Sequence, residues 1–244
     1  MTTRPLGSPA NYGIRPDFVP NPENRARRDE GAVYWSPRQI SNARSYQWEV
    51  YGWARDIIAE RKLQSCVDVG CGPAIKFEEL IVPAVRTAVG IDQRSIIEYC
   101  RRTYRTERRY MVDDLEAPRL ELGFKPDLMI CCDVVEHLID PDILMRYLHY
   151  LSGPDTLLLI STPDRDRVRG PGALSVSNLD HVREWTVLEF CSYLDSSGFD
   201  IVEYRHLAPF KARLDLLTLM HAIELLRPGR SWLYNMAFLC RPRG

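Results

Sequence analysis

Asp68, Gly70, Cys71 and Gly72 fall within nine residues, Cys66-Val67-Asp68-Val69-Gly70-Cys71-Gly72-Pro73-Ala74. An acid closing a short apolar strand, then two glycines, is suited to cradling a nucleoside, because glycine permits a tight turn and a close ligand approach that a Cβ would obstruct. Two further acids end later apolar runs, Asp92 in residues 88–92 and Asp114 beside Asp113 in residues 111–115. At a strand's C-terminal edge, Asp92 is placed to bond vicinal ribose hydroxyls. Asp114 and its neighbouring amides can read an adenine edge, the plainer reading being a solvated turn. A fourth acid, Asp133, ends the apolar run of residues 127–132 and is followed by Glu136 and His137. Beyond a polar loop stands His181, whose neutral imidazole is suited to accept a hydroxyl proton near physiological pH. Arg183 and Glu184 beside it are candidates for orienting an acceptor or for a salt-linked loop.

These residues need strands and helices to hold them. Val67 and Val69 favour a strand, and residues 76–82 read as the helix after the turn, stopped by Pro83. Residues 156–161 and 199–204 read as strands, and 234–240 as a last one. Between them, residues 185–194 read as a helix with Leu188, Cys191 and Leu194 on one face. Residues 41–63 form a helical approach in which Tyr46 or Trp53 packs the helix or closes over the site. Residues 163–178, rich in Gly, Pro, Ser and charge, read as a loop over a concave site. Residues 214–226 carry a strong apolar helical pattern, suited to core packing, a lid or an oligomer contact.

In this order the four acidic strand ends resemble the class I S-adenosylmethionine-dependent methyltransferases, nearest to small-molecule, sugar and ubiquinone-pathway-like O-methyltransferases. The resemblance covers residues 67–241 and is strongest over 67–163. It implies a three-layer, doubly wound, Rossmann-like α/β fold with a seven-stranded, mostly parallel sheet in the order 3-2-1-4-5-7-6. It also implies that Asp68 and the amides around Gly70, Cys71 and Gly72 hold the amino-acid end of S-adenosylmethionine, while Asp92 takes the ribose and Asp114 the adenine. Asp133 would face the cofactor or acceptor. The family's third glycine is here Ala74. The segment after the fourth strand also resembles terminal-ribose 2′-O-methyltransferases of small RNAs. If that segment is helical, Asp133, Glu136 and His137 stand at i, i+3 and i+4, and His181 completes an oxygen and nitrogen site for a divalent cation such as Mg. Such an ion binds a vicinal diol and eases deprotonation.

The implied reaction is in-line methyl transfer to a hydroxyl of a small acceptor, a sugar or other polyhydroxylated metabolite, with His181 and Asp133 as the catalytic pair. Transfer to nitrogen or carbon, a noncatalytic S-adenosylmethionine-binding regulator, and a nicotinamide-dependent oxidoreductase are the competing readings. Oxidoreduction is disfavoured by the incomplete Gly-x-Gly-x-x-Gly pattern.

The composition is that of a globular chain: 244 residues, 45% hydrophobic and 27% charged. This length fits one domain at 31–244, with an N-terminal helical cap and an inserted helix at 210–226, behind a flexible segment at 1–30. Thirty-two basic against 33 acidic residues give a net charge of -1, which disfavours an extended nucleic-acid surface. Arg101, Arg102, Arg105, Arg108 and Arg109 read as the solvated side of a helix. No apolar run reaches the roughly 20 residues needed to span a bilayer, and no signal-peptide core is present, which points to the cytoplasm. Seven scattered cysteines read as free, mostly buried thiols. A homo-oligomer is compatible with these features.

Overall fold

The computed structural model describes residues 11–21, 35–107, 109–211, 219, 220, 223 and 231–243. Seven strands form one sheet in the order β3-β2-β1-β4-β5-β7-β6. They are β1 (Ser65–Val69), β2 (Thr87–Asp92), β3 (Tyr110–Val112), β4 (Leu128–Cys132), β5 (Leu157–Pro163), β6 (Phe199–Leu207) and β7 (Asn235–Pro242). The first five pair in parallel, and β7 runs antiparallel between β5 and β6. This is the Rossmann-like α/β fold with a mixed seven-stranded sheet that the family resemblance implies.

The central strands are apolar on both faces because helices cover both. Side chains alternate with the two-residue strand period. Val67, Val69, Met129, Cys131, Leu158, Ile160, Met236 and Phe238 belong to one core. Cys66, Leu128, Ile130, Cys132, Leu157, Leu159, Ala237 and Leu239 belong to the other. The second core is covered by α2 (Trp48–Arg61), through Val50, Tyr51, Trp53, Ala54, Ile57 and Ile58, and by α3 (Arg94–Tyr104), through Ile96, Ile97 and Cys100. The first is covered by α4 (Pro141–Leu151) and α6 (Val187–Ser196). Residues 11–21 lie on this side as well: Ile14 and Phe18 are buried, Trp185 Nε1 donates to Tyr12 O, and Asn21 N donates to Val182 O.

Several elements differ from the sequence expectation. The approach at residues 41–63 is two helices, α1 (Pro37–Ala43) and α2, parted where Gln47 takes a left-handed φ of 66°. Trp53 is a core residue and Tyr46 packs edge-on against Phe210. The helix after the glycine turn is a π-helical turn, Phe77–Ile81, running into a 3-10 turn, Val82–Ala84, so Pro83 sits inside helical structure rather than ending it. On α6 the buried residues are Phe190, Tyr193 and Leu194, while Leu188 is 81% exposed. The Trp185 ring stacks on Tyr193 at 5.7 Å and sets that phase. The 163–178 loop contains a short helix, α5 (Arg165–Arg169). The 214–226 run lies outside the described residues apart from Leu219, Met220 and Ile223. All seven cysteines are free and only Cys191 is not fully buried. Among the described residues no helix is long and apolar enough to cross a membrane.

Candidate functional site

The strand order reverses between β1 and β4, and an open α/β sheet binds ligands in the crevice beyond the strand ends at such a point. Here the glycine turn leaves β1. Gly70 N and Cys71 N both donate to Ile91 O, at 2.8 and 3.1 Å, and Gly72 N donates to Asp92 Oδ2 at 2.7 Å. Gly70 and Gly72 have φ of 82° and 54°, a region costly for residues with a Cβ. Ala74, at the third glycine position, also has a left-handed φ, 56°, and its side chain is buried. Cys71 is buried, its Sγ donates to Gly72 O at 3.7 Å, and burial pushes its thiol pKa well up.

Asp68 is fully buried. Tyr51 donates its hydroxyl to Oδ2 at 2.7 Å, whereas Oδ1 has no partner. Burial raises the carboxyl to about 7 despite the Tyr51 bond and the nearby Lys76 ammonium. Lys76 is itself buried, lowered to about 8 by desolvation, and donates to Ala43 O at 3.1 Å. Asp92 receives the backbone N–H groups of Gly72 and Gln93, and burial still lifts it to about 6 against these bonds and the neighbouring Trp35 indole. Asp113 is buried and accepts the backbone N–H groups of Asp114, Arg119 and Leu120. Asp114 stands exposed at the end of β3, its Oδ1 accepting Glu116 N at 3.0 Å. The buried orphan oxygen of Asp68, the glycine turn, Asp92 and the exposed Asp114 thus lie at the C-terminal ends of β1, β2 and β3.

A second group lies beyond β4 and β5. Asp133 has a φ of 52°, which turns the chain before the 3-10 turn Val135–His137 begins. Its carboxylate accepts from Ser161 Oγ at 2.6 Å and from Asn235 Nδ2 at 3.3 Å. Of the four expected donors the structure gathers three: one ligand atom each from Glu136, His137 and His181 lie within 4.8 Å of one another, without Asp133. The i, i+3, i+4 argument fails because the helical phase starts only after Asp133.

The three remaining groups are held in a definite state. Glu136 is buried, its Oε2 accepts from Thr162 at 3.1 Å and its Oε1 has no partner. Burial, reinforced by Asp133, holds its carboxyl well above the usual range. His137 Nδ1 is 2.5 Å from Asp180 O, and His181 Nδ1 is 2.7 Å from Glu184 Oε1. Both partners are acceptors, so each Nδ1 carries a proton toward them. The two rings meet edge to face at 4.9 Å. Glu184 is buried; desolvation opposes its charge, but His181 and two N–H groups of Arg169 outweigh this and hold it at about 2. Arg183 donates to Leu138 O and Ile139 O, bracing the turn below His137. Arg183 and Glu184 thus orient protein groups, not open solvent.

Tyr51, Thr162, Arg169, Lys76 and Trp35 were not legible as site residues. Each acts across a long sequence separation, and only Lys76 carried a signal, a lone cation just after the glycine turn.

A family model described as "Methyltransferase domain" matches residues 39–204. No curated protein matches in sequence. A solved S-adenosylmethionine-dependent methyltransferase from Clostridium acetobutylicum ATCC 824 is similar with a TM-score of 0.57 and 12% identity, over 81% of this chain and 93% of that one. The methyltransferase domain of bacterial CtHen1 gives a TM-score of 0.55 at 17% identity, over 81% and 100%. The [4+2]-cyclase SpnF gives 0.56 at 15%, over 79% and 81%.

Proposed function

The chain belongs to the methyltransferase-domain family, and on that premise we propose that it transfers the methyl group of S-adenosylmethionine to a hydroxyl of a small, polyhydroxylated, sugar-like acceptor. The observation that carries this reading is the convergence of the orphan Glu136 Oε1 with two imidazoles whose Nδ1 atoms are held by Asp180 O and Glu184 Oε1.

S-adenosylmethionine supplies an electrophilic methyl on a sulfonium. Asp68 Oδ1 is suited to its ammonium, the Gly70 to Gly72 amides to its carboxylate end, Asp92 to its ribose and Asp114 to its adenine. Glu136, His137 and His181 form a mixed oxygen and nitrogen donor set that fits a divalent cation such as Mg or Mn, which would lower the pKa of a bound hydroxyl. Glu184, anchored by Arg169, keeps His181 in one tautomer, and Asp180 O does the same for His137. Asp133 holds β4 to β5 and β7 at the base of the crevice through Ser161 and Asn235. Orienting a hydroxyl in a closed crevice accounts for much of the rate in such a transfer.

His181's own contacts favour a second form of the mechanism: a carboxylate-backed imidazole is also a general base, able to take the hydroxyl proton at Nε2 without a metal. The SpnF likeness is a reminder that one fold hosts other chemistry. The test is methyl-labelled cofactor with a panel of polyols and sugars, in Mn²⁺ or in EDTA, alongside Mn²⁺ binding followed by electron paramagnetic resonance. Oxygen methylation that needs the ion, with binding lost in His181→Ala and kept in Asp133→Asn, supports the three-ligand site. Transfer that survives EDTA but not His181→Ala supports the base. Methylation of amines alone refutes the hydroxyl assignment.

A further inference from the structure

Trp35 lies where the proposed cofactor must lie. A Cβ built on Gly72 would meet the indole Cη2 at 2.7 Å and Cζ2 at 2.8 Å, so the six-membered ring covers the bare face of that glycine. The indole also neighbours the Asp92 side chain and favours its charged form against the pull of burial. Asp92 already receives Gly72 N and Gln93 N at 2.7 Å each. A ribose diol would use the same carboxylate, and the cofactor's tail would approach the same glycine face. Ring and nucleoside cannot share either position.

The contact is anchored yet thinly held. Trp35 directly precedes Ser36, the N-cap of α1, whose capping box is complete: Ser36 Oγ accepts from Gln39 N at 3.3 Å and Gln39 Oε1 accepts from Ser36 N at 2.9 Å. The register of the indole over the turn is thereby defined. Yet α1 has no buried residue, and its far end is tied down by Lys76 Nζ on Ala43 O. Ile40 packs only partly buried against the core, and a helix that buries so little opens at low free-energy cost.

We propose that Trp35 is an intramolecular competitor of the cofactor: its indole occupies the ribose and glycine-face position, and S-adenosylmethionine binds only as the ring and the start of α1 swing away. The inference rests on the S-adenosylmethionine reading of this site. It gives Trp35 a role opposite to that of an aromatic wall that stacks on a bound nucleoside. Removing a wall weakens binding, whereas removing a competitor strengthens it. If the covered form outweighs the open one by about ten to one, as a hydrogen bond to a charged group permits, apparent affinity is lowered about ten-fold.

The test is calorimetric titration of the full chain with S-adenosylhomocysteine, for wild type, Trp35→Ala and Trp35→Phe, each checked for native circular dichroism. Trp35→Ala is expected to bind about ten-fold more tightly, and Trp35→Phe, which keeps a ring but loses the N–H, by an intermediate factor. In stopped flow the wild-type binding rate should saturate with ligand concentration, and the tryptophan fluorescence change on binding should shrink in Trp35→Phe. Equal or weaker binding by Trp35→Ala overturns the proposal while leaving the cofactor assignment intact. No binding by any of the three proteins overturns the cofactor assignment itself.

Discussion

Gly70→Ala probes the join between the two halves of the site. Gly70 has a φ of 82°, and a Cβ there would stand 2.4 Å from Val134 Cγ2 and 3.4 Å from Cγ1. Two separable costs follow. Holding a residue with a Cβ in a left-handed conformation costs about 1–2 kcal/mol. Forcing a methyl into an occupied position costs about 1–3 kcal/mol more. The sum, roughly 2–5 kcal/mol, corresponds to a melting temperature roughly 5–15 °C lower for a chain of this size. Val134→Ala removes the two methyl groups nearest the new Cβ, so a double-mutant cycle divides the costs. In urea titrations Gly70→Ala should be less damaging in the Val134→Ala background by about 1–3 kcal/mol, the coupling expected of residues in contact. The backbone part, about 1–2 kcal/mol, should persist in both backgrounds. Because Val134 leads into the Val135–His137 turn, Gly70→Ala should also weaken the Mn²⁺ binding proposed for Glu136, His137 and His181. Additivity of the two substitutions would refute the contact, and a Gly70→Ala protein as stable as wild type would refute the left-handed turn.

Three other substitutions test the frame around the site. Asp68 has a carboxyl raised from 3.8 to about 7 in the fold, so between those values the folded chain holds a proton the unfolded chain has lost, and stability falls as pH rises. Asp68→Asn should remove a slope worth on the order of 4 kcal/mol at most, gaining on wild type between pH 4 and 7; a pH-independent difference in urea midpoint would contradict this. Thr186 caps α6 by accepting Glu189 N, and Glu189 Oε2 accepts Thr186 N in return. Thr186→Ala should cost about 1 kcal/mol, roughly 2–4 °C in melting temperature. Leu188→Glu, at a residue 81% exposed, should leave stability within about 0.5 kcal/mol, and a larger loss would restore Leu188 to the buried face.

Individual strands were legible because acids and glycines punctuate apolar runs at strand ends, and their order in the sheet followed from the family resemblance those ends carry. The run from Val67 through Asp133 therefore marked the crevice edge. Helical phase was read less well. Asp133 was grouped with Glu136 and His137 by counting i, i+3 and i+4, but its left-handed φ precedes the turn and sends its carboxylate to Ser161 and Asn235 instead. Leu188 fitted a helical stripe, yet the stacking of Trp185 on Tyr193 fixed another face inward. The groups that set the state of the site were not legible at all. Tyr51 reaches Asp68 across 17 residues, Thr162 reaches Glu136 across 26, and Arg169 reaches Glu184 across 15. No short-range periodicity reports such pairs, which exist only once the sheet edge has brought loops together.

The segment at residues 11–21 gives the site a schedule as well as a shape. Tyr12 O is bonded to Trp185 Nε1, a residue 173 positions later, and the backbone N–H of Arg15 to Glu189, 174 positions later. At a synthesis rate of about 5–20 residues per second, the strap waits roughly 10–35 s for those partners to emerge. By then β1 to β5 and the glycine turn have already left the ribosome. The cofactor crevice is thus available for assembly well before the acceptor side can be braced by Asn21 on Val182, next to His181. Chain emergence thus presents β1 to β5 before the partners of residues 11–21.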